Sequence, residues 1–184
     1  ALAAPFGKNA SEAMPLHFEN TALPTATAPR TGQPVVRDQL RATLGNVLSL
    51  QLIRRKQGED SVPERGTVMI GRPLAQLPER GISIGISGKK VDLDYWQRIL
   101  RGSARDGAPG AGTGVPVAVD LKAEEAVLLG RYYTDVSASV TGTSPQWRGT
   151  VQSREAVGGF QWDGAGSGKL TARFKKWRRP DKAG

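Results

Sequence analysis

The stretch that decides the fold is LPERGISIGISGKKVDLDYWQRIL, residues 77–100. Its first part alternates isoleucine with small residues, in the order Ile82, Ser83, Ile84, Gly85, Ile86. A period of two predicts a β-strand with one apolar face. After the two lysines that follow, the apolar spacing becomes helical, and Asp92 or Asp94 can cap a helix there. We therefore expect one short helix near residues 92–101, with strands on both sides.

The same alternation recurs before and after this stretch. One alternating run contains Leu40, Ala42 and Leu44, and a second contains leucines at 48, 50 and 52. The pair Gly45–Asn46 lies between them, which predicts a hairpin. Successive alternating runs with short turns fill residues 115–174, a pattern typical of an antiparallel meander. The predicted fold class is mainly β, with antiparallel meanders forming a curved, groove-like or sandwich-like sheet and the one short α-helix.

A glycine-rich segment, RGSARDGAPGAGTG, divides the chain at residues 101–114. Glycine-rich composition with almost no apolar residue is typical of a flexible linker or loop. The predicted organisation is a first β-meander with its terminal helix at 1–101, a linker at 102–114, a second β-meander at 115–177 and a tail at 178–184. Residues 21–34, rich in Pro, Thr and Ala, are expected to form a connecting loop.

The chain carries a formal net charge of +9, from 26 Lys and Arg against 17 Asp and Glu. Such an excess favours anionic partners, although basic residues also cover solvent faces and protect sheet edges. The densest cluster surrounds Trp177, and its candidate anion-binding residues are Lys175, Lys176, Arg178 and Arg179. Charge combined with an aromatic side chain is the pattern of a nucleic-acid or acidic-polymer site.

The residues that usually perform chemistry are scarce. The chain has no cysteine, which excludes disulfides and thiolate metal sites, and its one histidine, His17, has no evident catalytic partner. Gly164–Gly168 is followed by a strand-like run rather than the helix of a phosphate-binding loop, and predicts a turn. We expect no catalytic residue, no metal and no cofactor, and therefore no enzyme.

No apolar run approaches the roughly 20 residues that a membrane-spanning helix needs, so we expect no transmembrane segment in this chain. Residues 1–4 lack the basic and apolar regions of a signal peptide.

An amphipathic sheet with only one short helix leaves its apolar side in need of a cover. Either the two meanders face each other over a sealed core, or the face stays open and holds an apolar ligand. The candidate residues for that groove or core are Leu48, Leu50, Leu52, Ile82, Ile84, Ile86, Val117, Val119, Leu121, Val136, Ala138 and Val140.

Five segments in order carry a family resemblance: LAAPFGKNASEAMPLHFE, DQLRATLGNVLSLQL, LPERGISIGISGKKVDLDYWQRIL, LLGRYYTDVSASVTGTSPQWRGTVQSREAVGGFQW and GSGKLTARFKKW. Together they resemble a segment from the C-terminal half of the YhdP family, AsmA-like (TamB/AsmA-type) proteins of Gram-negative envelopes. Their order and spacing carry the resemblance, which covers most of the chain apart from the Pro/Thr-rich loop and the glycine-rich linker.

The resemblance implies a periplasmic segment of a longer protein that is anchored in the inner membrane by an N-terminal helix. It implies a non-enzymatic apolar β-groove for phospholipid transport between the inner and outer membranes and for maintenance of the outer-membrane barrier. The implied partners are phospholipid acyl chains, the remainder of the same chain and other envelope proteins, and nucleic acid is not expected. Two alternatives stay open: a basic module that binds nucleic acid or an acidic polymer, and a structural spacer.

Overall fold

The computed structural model describes residues 13–27, 32–95 and 114–182. The strands in these ranges are β1 (Leu16–Ala22), β2 (Ala26–Thr27), β3 (Pro34–Val35), β4 (Arg37–Leu44), β5 (Leu48–Gln57), β6 (Asp60–Ile70), β7 (Gly81–Asp92), β8 (Val117–Leu128), β9 (Arg131–Thr143), β10 (Gln146–Gln152), β11 (Ala156–Asp163) and β12 (Lys169–Trp177). A helical turn occupies residues 93–95, where the predicted helix begins. The rest of that helix and nearly all of the 102–114 linker lie outside the described residues.

Ten of the strands form one curved open sheet, in the order β1-β4-β5-β6-β7-β8-β9-β10-β11-β12. The mainly β fold class is thus confirmed, and the predicted hairpin is present with Leu44 paired to Leu48. Strands from both predicted meanders belong to this one sheet, so the sandwich-like arrangement is not formed. The short β2–β3 ribbon overlaps the stretch expected to be a loop.

The centre of the sheet differs from a continuous antiparallel meander. β7 is parallel to both of its neighbours, since Arg65 to Ile70 pair in order with Gly81 to Ile86, and Ile82 pairs with Val117. Parallel neighbours cannot be joined by a tight hairpin and need a long return connection. Alternation has the same period in parallel and antiparallel strands, which is why the sequence pattern did not reveal this reversal.

The connection from β6 to β7, residues 71–80, returns over the more polar side of the sheet. Gly85 alternates with the isoleucines of β7, and a Cβ on Gly85 would lie 3.0 Å from Nη1 of Arg72. Arg72 therefore lies against the side of the sheet that the isoleucines do not occupy. This return therefore contacts the side of β7 opposite the isoleucines.

The most tightly packed part of the sheet lies near the end of β7. Its cluster of buried residues is Val91, Leu121, Ala123, Ala126 and Val136. Leu93 of the helical turn packs against this cluster. Asp92 caps the turn, as predicted, because its Oδ1 accepts a hydrogen bond from the Tyr95 amide at 2.8 Å. The buried core of the sheet thus lies where β7 ends and the helical turn begins.

Residues 178–182, part of the predicted tail, fold back onto the sheet. The Tyr132 amide donates to the Asp181 carbonyl oxygen at 2.9 Å, and Arg131 forms an isolated bridge with Lys182. This segment therefore ties the end of β12 to the beginning of β9.

Candidate functional site

Cross-strand register aligns apolar residues into three rows that run across the ten-stranded sheet. Directly opposed residues of neighbouring strands lie on the same face. The first row is Leu16, Leu44, Leu48, Ile70, Ile86, Leu121, Ala138, Val151, Gly158, Phe174. The second is Phe18, Ala42, Leu50, Val68, Ile84, Val119, Val140, Gly149, Phe160, Ala172. The third is Asn20, Leu40, Leu52, Gly66, Ile82, Val117, Gly142, Trp147, Trp162, Leu170.

These three rows define the surface that we call the apolar face. Apart from Asn20 at one edge, every position in the rows is apolar or glycine, and none is charged. A charge-free surface that is continuous across so many strands is unusual for a face that is not sealed. It is the feature of this chain that most clearly offers a binding site.

All twelve candidate groove or core residues lie on the apolar face. Eleven occupy the rows, and Val136 lies two residues before Ala138 on β9, paired with Ala123. Leu121 and Val136 are buried, and the other candidates are half-buried. Among the described residues this side of the sheet is therefore only partly covered, and the role of the twelve residues in a groove stays a prediction.

The lining changes in character across the sheet. The central strands contribute Leu, Ile and Val, whereas the β10–β12 margin contributes the aromatic residues Trp147, Phe160, Trp162, Phe174 and Trp177. Several of these remain accessible: Trp162 is 40%, Phe174 46% and Trp177 56% exposed. Sequence reasoning did not assign these aromatic residues to the groove, although their alternation with Arg148, Gln161 and Arg173 carries the signal.

A bulge in β12 separates Trp177 from part of the basic cluster around it. Phe174 pairs with Gly158, Lys176 with Val157 and Trp177 with Ala156, so Lys175 is the extra residue. Trp177 consequently shares the apolar face with Phe174, and their ring centroids lie 5.1 Å apart. Lys176 lies on the opposite face. Lys175, Lys176, Arg178 and Arg179 are all exposed.

One end of the apolar face is closed by an ion pair. Arg54 donates to both carboxylate oxygens of Asp38, from Nε at 2.8 Å and from Nη2 at 3.0 Å, and Nη2 also donates to Asn20 at 3.2 Å. Asp38 is only 4% exposed. Asp38 lies two residues before Leu40 on β4 and Arg54 lies two residues after Leu52 on β5, so the pair marks the polar boundary of the face.

The opposite face is more polar along β9 to β12, and its side chains line part of two clefts there. One cleft of about 800 Å³ and a second of about 500 Å³ share Thr141, Arg148, Gln161 and Thr171. Arg173 also lines the second cleft. Hydroxyl, amide and guanidinium groups suit a hydrophilic or anionic ligand, and the first cleft is also lined by Ile82, Val117 and Trp162 of the apolar face.

Two ionisable groups with shifted pKa values lie near the start of β9. Burial, together with the neighbouring carboxylates, raises the pKa of the Tyr133 phenol despite the opposing charge of Arg131. Burial would also raise the pKa of Glu155, but hydrogen bonds from the Thr134 amide and hydroxyl outweigh it and lower that pKa. Both groups therefore keep their ordinary charge at neutral pH.

Within the described ranges, no three His, Asp or Glu side chains are grouped so that they could hold a metal ion. His17 lies exposed on β1, paired with Thr43 and outside the apolar rows. No helix in the described part of the chain has both the length and the apolar character needed to cross a membrane.

The family model described as YhdP protein matches the chain over residues 1–183. No curated protein and no solved structure matches the chain. The family match covers nearly the whole sequence, in agreement with the resemblance carried by the alternating segments. The chain therefore belongs to the YhdP family of AsmA-like proteins.

Proposed function

We propose that the apolar face binds the acyl chains of phospholipids and forms one segment of a path for phospholipid transport between the inner and outer membranes. The observation that carries this proposal is the set of three charge-free rows, which remain half-buried over most of their length. Contiguous apolar surfaces are rare on free monomers and mark binding sites, so this one calls for an apolar occupant. Acyl chains fit a long, narrow surface of this kind better than a compact ligand does.

The chemistry of such a path needs no catalytic residue. Each CH₂ group that leaves water contributes about 0.8 kcal/mol, and the contribution is recovered when the chain moves to the next apolar position. Rows of similar side chains on successive strands supply positions of similar affinity, so no single position traps the lipid. We propose a non-enzymatic role on this basis.

The proposal places this segment in the periplasm, as part of a longer chain that is anchored in the inner membrane. Its further partners would be the remainder of that chain and other envelope proteins. Membership of the YhdP family supports this setting, in which the segment would help to maintain the outer-membrane barrier.

Photo-crosslinking at Ile84 tests the proposal, with Ser83 as the matched control. Both are half-buried neighbours near the middle of β7, but only Ile84 lies on the apolar face. A photoreactive phenylalanine analogue at Ile84, in protein produced in a Gram-negative host, should capture phospholipid, and the same analogue at Ser83 should not. Equal capture at both positions, or none at either, would overturn the proposal.

An Ile84→Asp substitution provides the second test. With the crosslinker at Val119, which pairs with Ile84, lipid capture should fall at least roughly tenfold, because an unpaired carboxylate strongly disfavours adjacent acyl chains. Ser83→Asp adds the same charge to the opposite face and should leave capture nearly unchanged. Circular dichroism should show an intact sheet for both variants. Unfolding of Ile84→Asp alone would favour a sealed core instead.

A second candidate function, binding of an acidic polymer, is favoured by the arginines in the clefts of the polar face. Its signature is salt dependence, since binding through phosphate or carboxylate contacts weakens steeply as salt displaces counterions. Acyl-chain binding should change little over the same range. Phospholipid capture at Ile84 that persists in high salt would favour acyl-chain binding over binding of an acidic polymer.

A further inference from the structure

The aromatic margin of the apolar face is built on glycines. Three aromatic side chains are each paired with a glycine of the preceding strand: Trp147 with Gly142, Phe160 with Gly149 and Phe174 with Gly158. The pairs fall in the third, second and first rows, so they step diagonally across β9 to β12. This regularity calls for a common physical cause.

The cause is space above each glycine, which the ring occupies. A Cβ on Gly149 would lie 2.8 Å from both Cε1 and Cζ of Phe160. A Cβ on Gly142 would lie 2.2 Å from the Gln146 carbonyl oxygen and 2.8 Å from Cδ2 and Cε3 of Trp147. One on Gly158 would lie 2.4 Å from the Arg173 carbonyl oxygen and 2.7 Å from Cδ1 of Phe174. Real Cβ atoms are not found so close to ring carbons, so each ring lies down over its glycine.

A positive φ does not explain these glycines. Gly142, Gly149 and Gly158 are absent from the positive-φ glycines of the described chain, so another residue would meet no left-handed strain there. Gly66 shows the same arrangement in the aliphatic part of the third row, where a Cβ would lie 2.2 Å from Cδ2 of its partner Leu52. Each glycine in the three rows is thus covered by the side chain paired with it.

We propose that Gly142, Gly149 and Gly158 are positioning residues that set the depth of the lipid path by holding the three rings flat. This inference rests on the proposed function. A ring that lies down presents its broad face to the ligand and leaves the space above it open, whereas a ring that stands up narrows that space. An acyl chain gains dispersion energy from a ring face without having to adopt one fixed orientation, so it can slide along the ring.

The test uses the full chain with a crosslinker at Val140, which pairs with Gly149 from the other side. Gly149→Ala would push the Phe160 ring upward. Phospholipid capture at Val140 should fall about fourfold, the change expected when roughly one CH₂ group of the ligand loses its apolar contact. Capture at Ile84, farther from the ring, should fall less.

Gly159→Ala is the matched control, because Gly159 lies next to Gly158 on the opposite face. The atom nearest to a Cβ added to Gly159 would be the Gly149 carbonyl oxygen, at 3.2 Å, so no ring is displaced. Capture at Val140 should remain near the unaltered level. An equal loss in Gly159→Ala would show general damage to the sheet and would overturn the inference.

A compensating variant keeps the test decisive if Gly149→Ala folds poorly. Phe160→Leu, alone or with Gly149→Ala, replaces the ring by a smaller side chain and should keep or restore capture at Val140. A loss in Phe160→Leu as large as that in Gly149→Ala would make the ring itself the essential contact and would overturn the depth-setting role.

Failure of the two proposals can be told apart. Absence of lipid at both Ile84 and Val140 in the unaltered chain would overturn the transport proposal and this inference with it. Lipid in the unaltered chain with undiminished capture in Gly149→Ala would overturn this inference alone.

Discussion

At the scale of single residues, Glu155 shows how one side chain joins two strands. Its two carboxylate oxygens accept hydrogen bonds from the Thr134 amide at 2.9 Å and the Thr134 hydroxyl at 2.7 Å. The turn between β10 and β11 is thereby fixed to β9, and the Arg178 amide donates to the Glu155 carbonyl oxygen at 2.7 Å. One glutamate thus holds together the turn, β9 and the returning C-terminal segment.

The lowered pKa of Glu155 gives a pH-dependent prediction. Burial works against the charged form, but the Thr134 hydrogen bonds favour it more strongly, so folding stabilises the carboxylate. That stabilisation is complete above the unfolded pKa of about 4.5 and is lost as the pH falls through the lower folded value. Glu155→Gln should cost roughly 1–2 kcal/mol at pH 7, because an amide cannot accept both bonds.

Urea unfolding at pH 7 and near pH 3 checks this prediction. The difference in unfolding free energy between the unaltered chain and Glu155→Gln should shrink at the acid pH, because the stabilisation from the charged carboxylate is lost as the pH falls from about 4.5 towards the lower folded pKa. A difference that stays constant with pH would mean that packing, rather than charge, fixes this turn.

At the scale of elements, the tight turn between β8 and β9 is held from outside. Leu128 pairs with Arg131, which leaves a two-residue loop of Leu129 and Gly130 with φ values of +54° and +65°. Positive φ at both positions is the signature of a type I′ hairpin turn. Both loop amides donate to the Asp94 carboxylate at 2.7 Å, so the helical turn after β7 fixes this hairpin.

Leu129 is a poor residue for that conformation, and replacing it should stabilise the protein. It is 76% exposed and occupies the left-handed region, which costs a leucine about 1 kcal/mol. Leu129→Asn should therefore raise the free energy of unfolding by roughly 1 kcal/mol, since asparagine is favoured in this turn. Gly130→Ala should lower it by a similar amount. Chemical denaturation of both variants decides, and destabilisation by Leu129→Asn would refute the strain argument.

At the scale of the whole molecule, the described sheet carries three charge-free rows on one side without a second layer over them. Contiguous apolar patches beyond a few hundred Å² are rare on free monomers and mark binding surfaces. The chain without amphiphile should therefore self-associate as its concentration rises, and a mild detergent should return it to the monomer. Salt should have little effect, because apolar contacts are not screened. Light scattering with size-exclusion chromatography would show this, and a stable monomer without detergent would contradict it.

The alternation of apolar residues groups the groove candidates of each strand on one side of the sheet, while their role in a groove stays a prediction. Ile84 and Val119 come from opposite sides of the linker, yet they pair on the same face. The parallel pairing of β7 could not be predicted, because local patterning does not encode strand direction. The glycine–aromatic pairs were equally hidden, since Gly149 and Phe160 come together only through the register.

The parallel placement of β7 also has a consequence for the order of folding. On either side of it, most neighbouring strands are joined by short turns, so their pairing closes small loops and is expected to be fast. Ile82 of β7 must instead pair with Gly66 on one side and with Val117 on the other, across much longer stretches of chain. The strands before β7 and the strands after it are then expected to pair independently, and β7 joins the two groups last. A continuous surface would exist only after that final step, so the kinetics of one strand govern when the whole sheet becomes competent.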